Sequence, residues 1–128
     1  MKSKKLEIYA LAVCFASVVC LVISISIAGY SIVRIIDPGL TMYSCDFDRY
    51  QTNDRYWESK QSFSKERTKV IRPPEAVLTK QRLEALRIAT EGEKRGGARS
   101  LIQSLMFVVA SAVTLGVHWR IAKKARKR

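Results

Sequence analysis

The sequence predicts an all-α membrane protein, a two-helix transmembrane hairpin whose spans are joined by a mostly helical extramembrane connector. Two apolar runs and the polar segment between them predict it. Residues 8–33 form an uncharged run of 26 residues, and residues 101–119 form a second one of 19. An uncharged apolar stretch of about 18 residues or more is typical of a membrane-spanning helix. We therefore expect the chain to cross a bilayer twice.

Six segments follow from this division. They are a basic N-terminal tail (1–7), transmembrane helix 1 (8–36), an aromatic mixed-charge connector (37–74), a charged helix leading to the membrane (75–100), transmembrane helix 2 (101–119) and a basic C-terminal tail (120–128). The first run is too long for the apolar part of a secretory signal, which has about 7–15 residues. We therefore expect an uncleaved anchor.

Local chemistry sets the helix ends. The Asp-Pro-Gly sequence at 37–39 should end the first helix, since Pro disfavours a helical residue before it and Gly permits a turn. After the paired prolines 73–74, residues 75–95 are rich in strong helix formers. Gly96 and Gly97 follow, and they are either a hinge or only a weak point in one long helix.

Charge predicts the orientation. The chain has 23 Lys and Arg against 11 Asp and Glu. The two tails hold nine of the basic residues, so both termini are expected in the cytoplasm and the connector in the periplasm or outside the cell. The connector is basic too, but long loops translocate largely regardless of charge.

The C-terminal tail is expected to contact anionic lipid headgroups. Its cations are Arg120, Lys123, Lys124, Arg126, Lys127 and Arg128. A specific nucleic-acid partner is not expected, because no aromatic residue follows Trp119 to stack on a base.

Small residues recur every four positions in both spans. The first row is Ala12, Ala16, Cys20, Ser24 and Ala28, and the second contains Ser104, Ala112 and Gly116. Small side chains let helix backbones approach closely in lipid. The rows predict helix packing, either within the hairpin or between copies of the chain. The alternative is that such residues are simply common in spans.

Aromatic residues concentrate in the first half of the connector. Tyr43, Phe47, Tyr50, Tyr56 and Trp57 are the candidate contacts with a protein partner, since aromatic side chains make good interface anchors. The alternative is that these rings pack on the connector's own helix or lie at the headgroups.

No pattern predicts catalysis, a cofactor or a metal site. The carboxylates Asp46, Asp48, Asp54 and Glu58 alternate with arginines and lack the glycine turn of a calcium loop. His118 is the single histidine and is expected at the membrane interface. Cys45 is either a free thiol or a bridge between protomers. The chain is therefore not expected to be an enzyme.

Two short stretches carry a resemblance. Residues 51–58 (QTNDRYWE) and 117–122 (VHWRIA) resemble small two-pass bacterial inner-membrane proteins of uncharacterised function. The resemblance implies the two-pass plan and supplies no activity. We expect a non-enzymatic accessory or scaffolding subunit that contacts another membrane protein or itself. The alternative function is a homo-oligomeric channel.

Overall fold

The structure is a computed structural model that describes residues 2–63 and 71–127. This part of the chain contains no strand and consists of α1 (Lys2–Ile36), α2 (Pro38–Thr41), α3 (Ser44–Arg49), α4 (Asn53–Phe63) and α5 (Glu75–Arg126). The all-α prediction is confirmed for these residues, and α1 and α5 are long and apolar enough to cross a membrane. The chain forms two compact units. We call Met1–Ile32 with Gly97–Arg128 the apolar unit, and Val33–Gly96 the connector unit.

The end of α1 follows from the residues after it. α1 ends at Ile36, and Asp37 leaves the helical region with φ −132° and ψ 84°. Its carboxylate then accepts the backbone N–H of Gly39 at 3.1 Å and so caps α2, whose first residue is Pro38. An N-cap Asp satisfies one of the backbone donors that a helix start leaves open. Arg34 lies in the last turn of α1, where the helix dipole favours a cation.

α5 is a single helix of 52 residues. It begins directly after Pro74, whose carbonyl accepts the N–H groups of Val77 and Leu78. The helix passes through Gly96 and Gly97, and the two compact units divide between these glycines. Each Gly costs about 1 kcal/mol relative to Ala in a helix interior, and the strong helix formers before the pair offset this cost. α5 continues to Arg126, so residues 120–126 of the basic C-terminal tail are helical.

Three contacts pair α1 with α5 in the apolar unit. The Cys14 Sγ donates to the Leu115 carbonyl at 4.0 Å, the Tyr9 and His118 rings meet edge to face at 6.1 Å, and Arg126 Nε lies 3.1 Å from Glu7 Oε1. Residue numbers fall along α1 as they rise along α5. The two segments therefore lie antiparallel within this unit.

The contact seam of the apolar unit repeats every seven residues. In α1 the less exposed positions alternate by four and three: Ala10, Cys14, Ser17, Leu21, Ser24, Ala28 and Ser31. In α5 the same spacing gives Gly97, Leu101, Ser104, Val108, Ser111, Leu115, His118, Ala122 and Ala125. A mean spacing of 3.5 residues is the coiled-coil period. Most of the α1 side chains are small, which suits a close approach of the two backbones.

The connector unit is built on the first half of α5. Leu78 is fully buried, and Trp57 of α4 is 8% exposed. Polar contacts surround them, because Asn53 Nδ2 donates to Glu75 Oε2 at 2.7 Å and to Thr79 Oγ1 at 2.8 Å. These contacts hold α4 against the start of α5.

Candidate functional site

The predicted aromatic contact residues do not form one surface. Tyr43 and Phe47 are 80% and 41% exposed, whereas Trp57 is buried. Tyr50 and Tyr56 are half-buried, and their ring centroids lie 6.3 Å apart. Two of the five residues are therefore open to a partner, and three pack largely within the connector unit.

An exposed apolar strip extends the accessible pair toward the end of α1. Ile36 and Leu40 are 77% and 75% exposed. Together with the exposed Tyr43 and Phe47 they lie within one short stretch of chain that runs from the end of α1 through α2 into α3. We call these four residues the apolar strip. Ile36 and Leu40 are not among the contact residues predicted from the sequence. The Asp-Pro-Gly sequence beside them predicts only the end of a span. Their large apolar side chains beside a turn were the available signal.

A hollow of about 200 Å3 lies beside the strip. It is lined by Met42, Tyr43, Asp46, Tyr50, Ala89 and Glu93. Both carboxylates already have partners, since Asp46 pairs with Arg49 at 3.3 Å and Glu93 pairs with Arg34 at 2.8 Å. The charges of the hollow are thus compensated. Such a lining suits an aromatic or aliphatic side chain with a polar tip.

Arg72 joins an acidic residue of α4 to one at the start of α5. Its guanidinium contacts Asp54 Oδ1 at 2.6 Å and also Glu75 Oε1. The pKa of Glu75 is lowered, first by the hydrogen bond from Asn53 and then by the one from Arg72. Each partner favours the ionised carboxylate. The cluster holds the segment before α5 against α4, which is a structural role.

Three of the four connector carboxylates that alternate with arginines, Asp46, Asp48 and Asp54, take part in ion pairs. Asp46 contacts Arg49, Asp48 contacts Arg55 at 3.7 Å, and Asp54 contacts Arg72. Across residues 2–63 and 71–127, no three His, Cys, Asp or Glu side chains come together in a way that could hold a metal ion. Arg49, Arg55 and Arg72 therefore act as partners of these acids.

The predicted packing residues fall into two groups. Ser24, Ala28 and Ser104 lie in the α1–α5 seam, whereas Ala12, Ala16, Cys20, Ala112 and Gly116 are exposed. A row of every fourth residue drifts by about 40° per step on a helix of 3.6 residues per turn, so it leaves a seam of period 3.5. Ala12, Ala16 and Cys20 line an open groove of about 480 Å3 with Ala110, Ser111 and Thr114. Their contact with a second copy stays a prediction.

The basic end of α5 presents its charges on a defined face. Arg120, Lys123, Lys124 and Lys127 surround a hollow of about 340 Å3. Arg126 lies off this hollow and pairs with Glu7. Arg128, also predicted to contact lipid, lies outside the described residues. Ala122 and Ala125 are buried, which fixes the rotation of this part of the helix about its axis.

The cysteines and the histidine occupy ordinary packing and surface positions. Cys14 is buried, Cys20 and Cys45 are exposed, and none of the three forms a disulfide within the described part of the chain. His118 Nδ1 lies 2.9 Å from the Thr114 carbonyl, and its ring meets Tyr9. His118 is therefore a seam residue with a hydrogen bond to its own helix.

No protein-family model, curated protein or solved structure matches the chain.

Proposed function

We propose that the chain is a small integral membrane protein that crosses a bacterial cytoplasmic (inner) membrane twice and acts as a non-enzymatic accessory or scaffolding subunit. In this proposal α1 and the second half of α5 form a transmembrane hairpin. Both termini lie in the cytoplasm, and the connector unit lies outside it. The partner is another membrane protein or a second copy of the chain.

The exposure of the long helices supports the membrane crossing. Only 22% of the most apolar window of α1 and 6% of that of α5 are buried. The core helix of a water-soluble protein is mostly buried. Outward side chains such as Phe15, Ile25, Phe107 and Val113 are more than half exposed. Covering these side chains with lipid removes their apolar surface from water.

The apolar strip is the single observation that carries the scaffolding role. Its four large side chains, Ile36, Leu40, Tyr43 and Phe47, project from a unit that has its own buried core at Leu78 and Trp57. The neighbouring hollow offers a place for one anchoring side chain. Interfaces concentrate binding energy in a few such apolar and aromatic anchors.

The charged groups of the connector support a structural role for this unit. The shifted pKa values belong to Arg72, Glu75, Glu84 and Arg87, and each shift comes from an ion pair or hydrogen bond at the surface. Catalytic groups with shifted pKa values usually owe them to burial in a cleft.

The channel alternative requires a polar stripe on an outward face. Three hydroxyls are instead buried and bonded to their own helices: Ser17 to Val13, Ser31 to Ile27 and Ser104 to Leu101. They do not face outward, so we prefer the scaffolding proposal.

Affinity isolation of the full chain in mild detergent tests this function. We expect a membrane protein or a second copy to co-purify, and a Leu40→Ser/Tyr43→Ser variant to lose it. A Val77→Ser/Leu83→Ser variant removes two exposed apolar side chains elsewhere in the connector unit and should keep the partner. Equal capture by all three proteins, or no stoichiometric partner, would contradict the proposal.

A further inference from the structure

Three cations of α5 and Lys127, the residue that follows this helix, border one open hollow. Arg120, Lys123, Lys124 and Lys127 are spaced by three, one and three residues, which places them on one side of a helix. They line a hollow of about 340 Å3, and no acidic side chain is among the lining residues. The hollow is open to its surroundings, and its volume is roughly ten times the ~30 Å3 that one water takes in the liquid. It is therefore much larger than one small ion requires.

These charges are not neutralised within the described residues. None of the four takes part in an ion pair there, whereas Arg126 on the same turn is held by Glu7 at 3.1 Å. Like charges three and four residues apart on a helix repel one another. The dipole at the helix C-terminus compensates only part of this repulsion. An anion in the hollow would relieve the rest.

The position of the hollow along the chain indicates a lipid as the source of the anion. Arg120 directly follows Trp119, the last residue of the second apolar run. Indole rings favour the depth of the headgroups, so the hollow lies at the level of lipid phosphates. Buried Ala122 and Ala125 mark the face of α5 in the seam, and the cations are exposed away from it.

We propose that this hollow binds a lipid headgroup that carries two phosphates. The inference rests on the proposed membrane crossing. Four cations around one hollow match the charge of two linked phosphates better than that of one. A diffuse basic patch would respond only to the density of negative charge. A defined site must also distinguish two phosphates on one headgroup from two separate headgroups.

The test compares two lipids at equal phosphate content. The purified full chain is reconstituted in phosphatidylcholine with either cardiolipin, which has two phosphates, or twice as much phosphatidylglycerol. The lipid retained after transfer to mild detergent is measured by mass spectrometry. We expect the chain to retain about tenfold more cardiolipin than phosphatidylglycerol when both are counted per phosphate. This ratio corresponds to roughly 1.4 kcal/mol. Equal retention would overturn the inference.

Matched charge variants separate a site from a diffuse field. Lys123→Gln/Lys124→Gln and Lys4→Gln/Lys5→Gln each remove two charges, but only the first pair lines the hollow. We expect only the first variant to lose the preference, and equal loss in both would overturn the site. Inorganic pyrophosphate should displace cardiolipin poorly. Efficient displacement would show that the hollow takes a soluble anion and would overturn the lipid assignment.

Carbonate extraction of the same proteins tests the membrane crossing separately. Retention of every variant in the membrane supports the crossing. A chain that stays in the membrane without lipid preference would refute the inference alone. A chain that is extracted would refute the crossing, whatever lipid it retains.

Discussion

The Arg34 guanidinium lies directly against the backbone of Gly96. A Cβ atom added at Gly96 would lie 2.7 Å from Arg34 Nη2, which is closer than such contacts permit. The same guanidinium pairs with Glu93 at 2.8 Å, and both side chains are less than one-third exposed. A glycine at this point of α5 thus lets the last turn of α1 make an ion pair with the helix beside it.

The first prediction compares two glycines of α5. Gly92→Ala should raise the free energy of unfolding by about 1 kcal/mol, the propensity gain of an exposed helix position. Nothing lies within 4 Å of a Cβ atom at Gly92. Gly96→Ala should gain less, because the methyl group displaces Arg34 from Glu93. Thermal unfolding in mild detergent measures both.

A Glu93→Gln background provides the control for this comparison. There the ion pair is already lost, so the two alanine substitutions should become nearly equal. If the two free energies of unfolding still differ as much as before, the contact with Arg34 does not explain the smaller gain of Gly96→Ala.

The second prediction concerns Arg82. Its Nη1 donates to the carbonyls of Tyr50 and Gln51 at 2.7 and 2.6 Å and holds the turn before α4 on α5. Arg82→Gln should lower the free energy of unfolding by about 2 kcal/mol, since hydrogen bonds from charged donors are the stronger ones. Arg95→Gln, on an exposed part of the same helix, should change it little. Chemical denaturation followed by Trp57 fluorescence, in a Trp119→Phe background that removes the second tryptophan, distinguishes the two, and equal losses would contradict this role.

The third prediction concerns acid. The pKa of Glu75 is lowered by Asn53 and Arg72, so its contribution to stability is complete above the ordinary Glu pKa of about 4.3. The contribution is lost as the pH falls through the lowered pKa. A carbon NMR titration of the Glu75 carboxyl should show this lowered value, and Asn53→Ala should raise it. An unchanged titration in Asn53→Ala would remove the stated cause.

The fourth prediction concerns topology. A reporter that is active only in the cytoplasm should give signal when fused after Arg128 and none when inserted at Gln61. The physical reason is the dense positive charge of both tails, which is retained on the cytoplasmic side. The opposite pattern would reverse the orientation.

The fifth prediction separates the seam from the outer groove. Ala10 is fully buried, so Ala10→Leu should force α1 and α5 apart at a cost of about 1–3 kcal/mol. Ala12→Leu and Ala16→Leu add the same volume to exposed positions and should leave the thermal stability of the monomer nearly unchanged. Loss of self-association in these two alone would support the predicted contact between copies. Equal destabilisation by all three would refute the observed seam.

The sequence predicts the elements of this fold better than their packing. The end of α1 depends on neighbours in the chain, Asp37 and Pro38, and is visible in the sequence. The side of α1 that meets α5 is not visible in the sequence. Ala10 and Ala12 are the same residue type and differ only in the side of α1 on which they lie. Trp57 resembles an exposed aromatic anchor until α5 is placed beside it. Positions of this kind depend on residues far away in the chain.

The distance along the chain between the paired residues sets the order of assembly. Cys14 and its contact Leu115 are 101 residues apart, whereas Asn53 and Glu75 are separated by only 22. Synthesis at about 5–20 residues per second leaves α1 without α5 for roughly 5–20 s. During that time α1 has no contact with α5 to stabilise it as a helix. Its 26 uncharged residues allow it to remain helical alone in a bilayer, where a helix satisfies its own backbone hydrogen bonds.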